Sequence, residues 1–395
     1  MKGVKFMKKR VVLAAVICAL GVISAGCGSA ADTMQEEAAS LQTASSEETS
    51  AENYIEVVDQ NNMTAKVPKD ASRVVLTALP LPSIYAITGA PIENLVGMHP
   101  GSASAIENSV MKSMYPDLVN VPSNFIDGLD INIEELLKLD PDVVMYWAEY
   151  TNQYDIMTEA GIPAVGVKTQ AGGDALKTME SWLEIMGTMF GTDSDNGNAA
   201  KVLEYGTQVQ SEIAEVVNQI PEEDKPKVLY LYGHSADEIS VSGNDFYGGF
   251  WIESAGGSNA ADEISGHAIV NMEQVYQWNP DIILITTFTE TMPEDLYNNT
   301  IEGQDWSQVA AVQNGKVFKE PLGTYRWFPP SGDAPLMAKW MAQTLHPDLF
   351  TYDMVEEIKS YYEEFYQYTL TQEQAEGILA ANPEAAKGAS FGSSR

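Results

Sequence analysis

INIEELLKLDPDVVMYWAEY, from Ile131 to Tyr150, returns in altered form as VNMEQVYQWNPDIILITTFT, from Val270 to Thr289. Asn132 and Asn271, Glu134 and Glu273, Pro141 and Pro280, and Asp142 and Asp281 are identical between the copies, and most other positions exchange one aliphatic or amide for another. Each copy reads as the same mechanical unit. The asparagine N-caps a short helix, with Glu135 or Gln274 three residues on as a capping-box partner for the open amide donors of the first turn. Ile133, Leu136 and Leu137, or Met272, Val275 and Tyr276, form its apolar stripe. Proline ends the helix and biases Asp140 and Asn279 away from the α conformation. The runs Asp142–Tyr146 and Asp281–Thr286 are short and apolar, the pattern of parallel strands covered by helices on both faces. Two such units imply two lobes, with function between them.

Around the first copy, Tyr54–Val58 and Met63–Val67 flank a hairpin turn, and Arg73–Leu76, Leu95–Met98 and Ile162–Val167 read as strands, with a helix at Pro82–Gly89. Asp174–Phe190 and Gly197–Gln219 carry apolar residues at helical spacing, and a long helix as the crossing between lobes resists hinging. Around the second copy lie Lys227–Leu231, a glycine-rich aromatic stretch at Gly243–Trp251, the strand Lys316–Lys319, and helices at Ala334–Leu345 and Tyr352–Tyr366. The fold class that follows is α/β, with two Rossmann-like lobes built on central parallel sheets and joined by a single long helix. The expected divisions are a signal at 1–26, a tether at 27–53, an N-terminal lobe at 54–195, a connecting helix at 196–220, a C-terminal lobe at 221–385 and a tail at 386–395.

Lys2, Lys5, Lys8, Lys9 and Arg10 precede an apolar run from Val11 to Ile23, which ends in Ser24-Ala25-Gly26-Cys27. This is the pattern of an export signal. Small residues before a cysteine resemble a bacterial lipobox, which makes Cys27 the expected lipidation site, with Ser24 departing from the usual leucine. Residues 28–53 are polar and aperiodic, as a flexible tether would be. Removing Cys18 with the signal leaves Cys27 alone, so neither a disulfide nor a thiolate metal site is expected. A net charge of −34 repels nucleic acid and anionic headgroups, so no nucleic-acid partner is expected. Hydrophobic residues make up 45% of the chain, enough to fill two cores.

In open parallel sheets ligands collect beyond the carboxyl ends of the strands. Here those ends bring Pro80, Trp147, Glu149 and Tyr150 from the first lobe, and Tyr232, His234, Phe288, Tyr325, Arg326 and Trp327 from the second. Arg326 stands out because the chain has only Arg10, Arg73, Arg326 and Arg395. A guanidinium between Tyr325 and Trp327 suits an anionic, flat or chelating ligand through bidentate hydrogen bonds and stacking. A structural ion pair is its alternative. His99, His234, His267 and His346 show no metal-binding spacing, and no metal or cofactor is expected. Catalytic signatures such as G-x-S-x-G, the P-loop and HExxH are absent from the sequence. Glu149 with His234 is the pair an extracellular hydrolase or chelatase would need.

With Arg73-Val74-Val75-Leu76, Gly89…Val96-Gly97, Asn132-x-Glu134…Pro141-Asp142-Val143-Val144 and the second copy, the chain resembles the substrate-binding proteins of ABC importers for iron-siderophore, haem and cobalamin, from about Tyr54 to Phe350. The resemblance implies two α/β lobes on a rigid helix with an aromatic cleft between them. It implies that Glu134 and Glu273 dock on the permease, that Trp147 lines the cleft, and that Tyr325-Arg326-Trp327 and the Ser123-Asn124-Phe125 loop contribute ligand contacts. The expected activity is capture of a metal chelate, a ferric siderophore, haem or corrinoid, by a monomeric, lipid-anchored receptor outside the cytoplasm; a free metal ion or oxyanion is the alternative ligand.

Overall fold

The computed structural model describes residues 53–192 and 197–387; the export signal, Cys27, the tether through Glu52 and the tail beyond Lys387 lie outside the described residues. The first lobe opens with the hairpin β1 (Tyr54–Val58) and β2 (Thr64–Pro68). It continues through β3 (Val74–Leu76), α1 (Leu81–Ile87), β4 (Leu95–Met98), α2 (Pro100–Glu107), α3 (Ile133–Lys138), β5 (Val143–Trp147), α4 (Thr151–Glu159) and β6 (Ala164–Val167). Its sheet is parallel, in the order β4-β3-β5-β6. Helices α5 (Ala175–Phe190) and α6 (Asn198–Val217) lead to the second lobe.

There β7 (Lys227–His234), β8 (Ile239–Ser242), α7 (Tyr247–Ser254), β9 (Ser258–Asn259), β10 (His267–Val270), α8 (Met272–Trp278), β11 (Ile282–Ile285) and β12 (Val317–Lys319) follow in turn. Their order is β10-β8-β7-β11-β12, with β7, β11 and β12 parallel, β8 and β10 antiparallel, and β9 pairing with β7. After a short α9 (Pro293–Tyr297) come α10 (Ala334–Leu345), α11 (Met354–Phe365) and α12 (Gln372–Ala380), and a 3-10 turn at Pro383–Ala386, capped by Asn382, ends the described chain.

The strands are apolar on both faces because each sheet separates two cores. Val74, Leu76, Val143, Met145, Val228, Tyr230, Ile282 and Leu284 point into one shared cluster that also holds the inner faces of α5, α6 and α10. Val75, Val144 and Tyr146 point instead into an outer core of the first lobe, and Leu229, Leu231, Ile283 and Ile285 into an outer core of the second. The alternation follows the two-residue period of a strand. Because the inner core is common to both lobes, opening them like a book exposes residues such as Leu183, Met186 and Met341, each contributing about 1.5–3 kcal/mol of burial. From Asn53 onward the chain forms one unit accordingly.

The duplicated units form as expected in outline and differ in two details. Asn132 caps α3 by accepting from the amides of Glu134 (3.1 Å) and Glu135 (3.2 Å), and Asn271 caps α8 by accepting from Gln274 (3.0 Å). Among the described residues the return half of the expected capping box forms in neither copy; in the first the Asn132 amide donates to the Phe125 carbonyl, and Glu135 pairs with Lys138 at 2.6 Å. Before each proline the chain turns left-handed rather than extended, with φ of 46° at Asp140 and 43° at Asn279. Proline expels its predecessor from the right-handed helix, and Asp and Asn are among the residues that tolerate the left-handed alternative.

Candidate functional site

The carboxyl ends of the two parallel sheets face each other, and the loops there are stitched together across the gap. From the first lobe, Ser83 at the start of α1 lies 2.8 Å from the Thr324 hydroxyl and accepts from the Gly332 amide at 2.8 Å. Leu79 and Ala105 form a small apolar cluster with Tyr325. Thr169, just past β6, lies 2.9 Å from the Tyr247 hydroxyl at the head of α7.

The second-lobe loop from Gly323 to Asp333 is rigid for a specific reason. Asp333 is fully buried, and its carboxylate accepts from the Thr324 amide (2.7 Å), Trp327 Nε1 (3.1 Å), Tyr362 (2.9 Å) and Tyr366 (2.9 Å). Burial pushes this carboxyl up against those hydrogen bonds, which pull it down. Beside it, Glu320 is buried at the end of β12 and accepts from the Thr287 amide (3.0 Å), the Thr287 hydroxyl (2.8 Å) and Tyr230 (2.9 Å). Lys319 donates to the carbonyls of Thr289 (2.6 Å) and Thr291 (2.8 Å), and burial lowers its amine to about 8. The loop after β11 is therefore held from beneath by a buried carboxylate and a buried amine.

Arg326 is the centre of the arrangement. It is 0% exposed, with its guanidinium carbon 4.8 Å from the Phe288 ring centre and 5.4 Å from that of Tyr325. Its Nε points to the Thr287 carbonyl at 3.4 Å, and Nη2 donates to the Ala385 carbonyl. Among the described residues neither Nη1 nor the hydroxyl of Tyr325, itself 2% exposed, makes a well-formed hydrogen bond, although the phenol and the guanidinium lie close enough to interact. The Tyr325 phenol is pushed up by burial, opposed by the neighbouring guanidinium. Tyr232 at the end of β7 packs against Phe246 (5.4 Å between ring centres), Phe288 (5.5 Å), Phe328 (5.5 Å) and His267 (4.8 Å). Its phenol is raised by burial and by the proximity of Tyr325 and Tyr247, and lowered by Arg326. A ring-lined surface with one cation is the result. On the first-lobe side Trp147 ends β5 half-buried, 5.5 Å from Trp182, and Tyr150 heads α4 with its phenol raised by burial and then by Glu149.

Several expected contact residues do other work. His234 is buried with Nδ1 2.9 Å from the Thr291 hydroxyl and Nε2 2.7 Å from Gln304 Oε1, its ring against Trp306 in the outer core. The pairing of β7 with β8 slips at Tyr232, between the Leu231–Val241 and Gly233–Ser240 pairs, and this bulge sends Tyr232 to the cleft face and His234 to the other. With both ring nitrogens committed, His234 does not form the acid–base pair with Glu149. Trp327 is buried in the shared core, fastened to Asp333, rather than lining the cleft. Phe125 packs beneath β3 and β4 in the first-lobe outer core, in the space that Gly97 leaves. Pro80 is buried at the start of α1, and its neighbour Leu79 is what meets Tyr325. His99 caps α2, its Nδ1 accepting from the Gly101 amide at 2.9 Å. Phe246 and Phe328 pack on Tyr232, Thr169 meets Tyr247 and Ala385 meets Arg326 without having been expected there; of these only Phe246 and Phe328 lay in stretches whose aromatic content marked them.

Among the described residues no group of three or more His, Cys, Asp or Glu side chains converges as a metal site, and no helix is long and apolar enough to cross a membrane. Glu134 and Glu273 are exposed in the first turns of α3 and α8.

Residues 84–321 match the sequence model of a family described as periplasmic binding protein. The crystal structure of a periplasmic solute binding protein from Veillonella parvula is 33% identical and superposes with a TM-score of 0.75, over 83% of this chain and 97% of that one. The molybdate-binding protein MolA of Haemophilus influenzae is 28% identical over 62% of this chain and 72% of its own. An uncharacterized ABC transporter substrate-binding lipoprotein of Bacillus subtilis, YvrC, is 21% identical over 79% of this chain and 90% of its own. With more than half its length matched and the two-lobed parallel architecture in place, the chain belongs to the periplasmic binding protein family, as an extracytoplasmic solute-binding protein of an ABC transporter.

Proposed function

We propose that the solute is an anionic metal chelate, a ferric siderophore, haem or corrinoid, held against the rings of Trp147, Tyr150, Tyr232 and Phe288 with an anionic oxygen on Arg326. The observation that carries this reading is the buried Nη1 of Arg326 beside the Tyr325 hydroxyl, neither of which makes a well-formed hydrogen bond among the described residues. An unpaired donor on a buried cation is costly, and an anionic oxygen removes that cost through a charge-assisted hydrogen bond. The surrounding rings supply apolar area and faces for a flat or ligand-caged metal. A second reading, a bare metal oxyanion, is favoured by the molybdate bound by the Haemophilus relative and by the small number of donors at the site.

The test is a calorimetric panel of a ferric catecholate, a ferric hydroxamate, haem, a corrinoid and molybdate, on the protein and on Arg326→Gln. Binding that Arg326→Gln weakens by about a hundredfold is expected, the loss of one or two charge-assisted hydrogen bonds. Binding of molybdate alone selects the second reading, and full affinity in Arg326→Gln removes both. Delivery is proposed to run through Glu134 and Glu273, paired with basic groups of the permease, from a protein anchored by lipid on Cys27. Charge reversal of Glu134 and Glu273 together is expected to stop uptake in cells while leaving calorimetric affinity intact; lost affinity would refute that division of labour.

A further inference from the structure

The segment after α12 touches residues of both lobes, Ser104 of the first and Arg326 of the second. On the second-lobe side the Leu322 amide holds α12 itself by donating to the Ile378 carbonyl at 3.0 Å, and Arg326 Nη2 donates to the Ala385 carbonyl beyond the helix. On the first-lobe side the Ser104 hydroxyl of α2 donates to the Lys387 carbonyl at 2.7 Å. Ala385 is fully buried, whereas Glu384 and Lys387 are exposed and pair with each other. A main-chain oxygen thus occupies one of the donor nitrogens that would otherwise face solute.

The attachment is uneven along the segment. α12 is secured by a capping box between Thr371 and Gln374 and by Ala375 and Ile378 in the shared core. Beyond it, residues 382–387 contribute Ala385 as their one buried side chain and are tied by carbonyl contacts. Between the two parts sits Ala381, with φ of 54° and ψ of 155°, a region of backbone space that is essentially reserved for glycine. Strain there is released if residues 382–387 swing away, so the joint favours opening, and the carbonyl contacts favour closure. Few buried contacts and a strained joint are the marks of a segment that opens locally while its neighbours stay folded.

We propose that residues 382–387 form a strap that closes the solute site by placing the Ala385 carbonyl on Arg326, and that it lifts about Ala381 to admit solute. The proposal rests on the reading of Arg326 as the solute's anchor. The bound solute and the strap compete for the same guanidinium, so the fraction of time the strap is open scales the apparent affinity. The carbonyl is a weaker partner than an anionic oxygen, which is what a reversible internal occupant requires.

The experiment has a readout that needs no solute. The chain holds few arginines, and Arg73 and Arg326 are the ones among the described residues, so phenylglyoxal modification followed by peptide mass spectrometry reports Arg326 with Arg73 as internal control. In full-length protein with Cys18 and Cys27 replaced by serine, Ser104→Cys with Lys387→Cys is used to lock the strap reversibly. The oxidised form is expected to react at Arg326 at least about tenfold more slowly than the reduced form, as for a strap open about a tenth of the time when free and about a hundredth or less when locked. Ala385→Leu, which a fully buried position cannot hold without lifting, is expected to speed the reaction, and Ala381→Gly, which relieves the joint in the closed state, to slow it. Arg73 should react equally in all of them. Molybdate and a ferric catecholate, whichever binds, should associate in the same rank order. Equal reactivity of Arg326 in locked and reduced protein overturns the strap. Gated reactivity at Arg326 with solute affinity unchanged in Arg326→Gln upholds the strap contact and overturns instead the assignment of the site.

Discussion

At the foot of each sheet the two copies solve one problem in the same way with different residues. Asp142 Oδ2 accepts from the amides of Ser72 (2.8 Å) and Arg73 (2.9 Å), and the Arg73 side chain returns to the Leu139 carbonyl at the end of α3 (2.8 Å). Asp281 Oδ2 accepts from the Lys227 amide (2.9 Å), and the Lys227 amine returns to the Trp278 carbonyl at the end of α8 (3.3 Å). In both, a carboxylate after proline fastens the neighbouring strand, and a cation on that strand caps the helix where its dipole is negative. At the head of the sheets the likeness ends. β5 delivers a half-buried indole, Trp147, whereas β11 delivers Thr286 and Thr287 above the buried Lys319 and Glu320, next to Arg326 and Asp333. The duplicated part of the protein is its framework; the residues proposed to meet solute sit where the copies have diverged.

The largest test of this contrast is Asp333→Ala. It strips an acceptor from Thr324, Trp327, Tyr362 and Tyr366 at once, with no counterpart in the first lobe. A loss of about 3–5 kcal/mol in urea unfolding is expected. A loss under about 1 kcal/mol would mean that the second rim is held by apolar packing alone, like the first.

Next in size is the comparison at the feet. Asp142→Ala should cost about 2 kcal/mol and Asp281→Ala about 1 kcal/mol, because the first accepts two amides and the second one. Equal losses would show that the carboxylates act through charge near the strand ends instead of through counted hydrogen bonds.

The smallest effect is a slope in pH. The Lys319 amine is lowered to about 8 in the folded protein from an ordinary 10.5. Between those values the unfolded chain holds the proton more tightly, so on this group's account stability rises with pH. Thermal midpoints measured from pH 8 to about 10 should therefore rise less in Lys319→Met than in the native chain, and a parallel profile would mean the amine is not titrating in that window.

Much of the framework was legible in the residues. The repeat itself announced two lobes, Asn132 and Asn271 announced helix starts, and the span Ala334–Leu345 was placed at the observed bounds because its apolar spacing and flanking turn residues agree. α12 was missed although Thr371-Gln372-Glu373-Gln374 carries a capping-box signature, since the segment lacks a long apolar stripe. The site was legible only in part. Arg326 was conspicuous through the scarcity of arginine, but His234, Trp327 and Phe125 could not be told from cleft residues, because which face a side chain takes beyond a strand end depends on a bulge, a loop path or a packing partner far away in the chain.

Local pattern alone settled the helix-turn-strand unit of each copy, the parallel strands that follow the two prolines, and the helix-capping asparagines, since these follow from hydrophobic period, proline and hydrogen-bonding side chains close in sequence. Tertiary structure alone decided that the lobes share one inner core, that Tyr232 and His234 part company at a bulge, and that Ala385 lies on Arg326. The shared core and the Ala385 contact join residues tens of positions apart, the bulge depends on how β8 registers on β7, and none of these packing energies is encoded in a short apolar period.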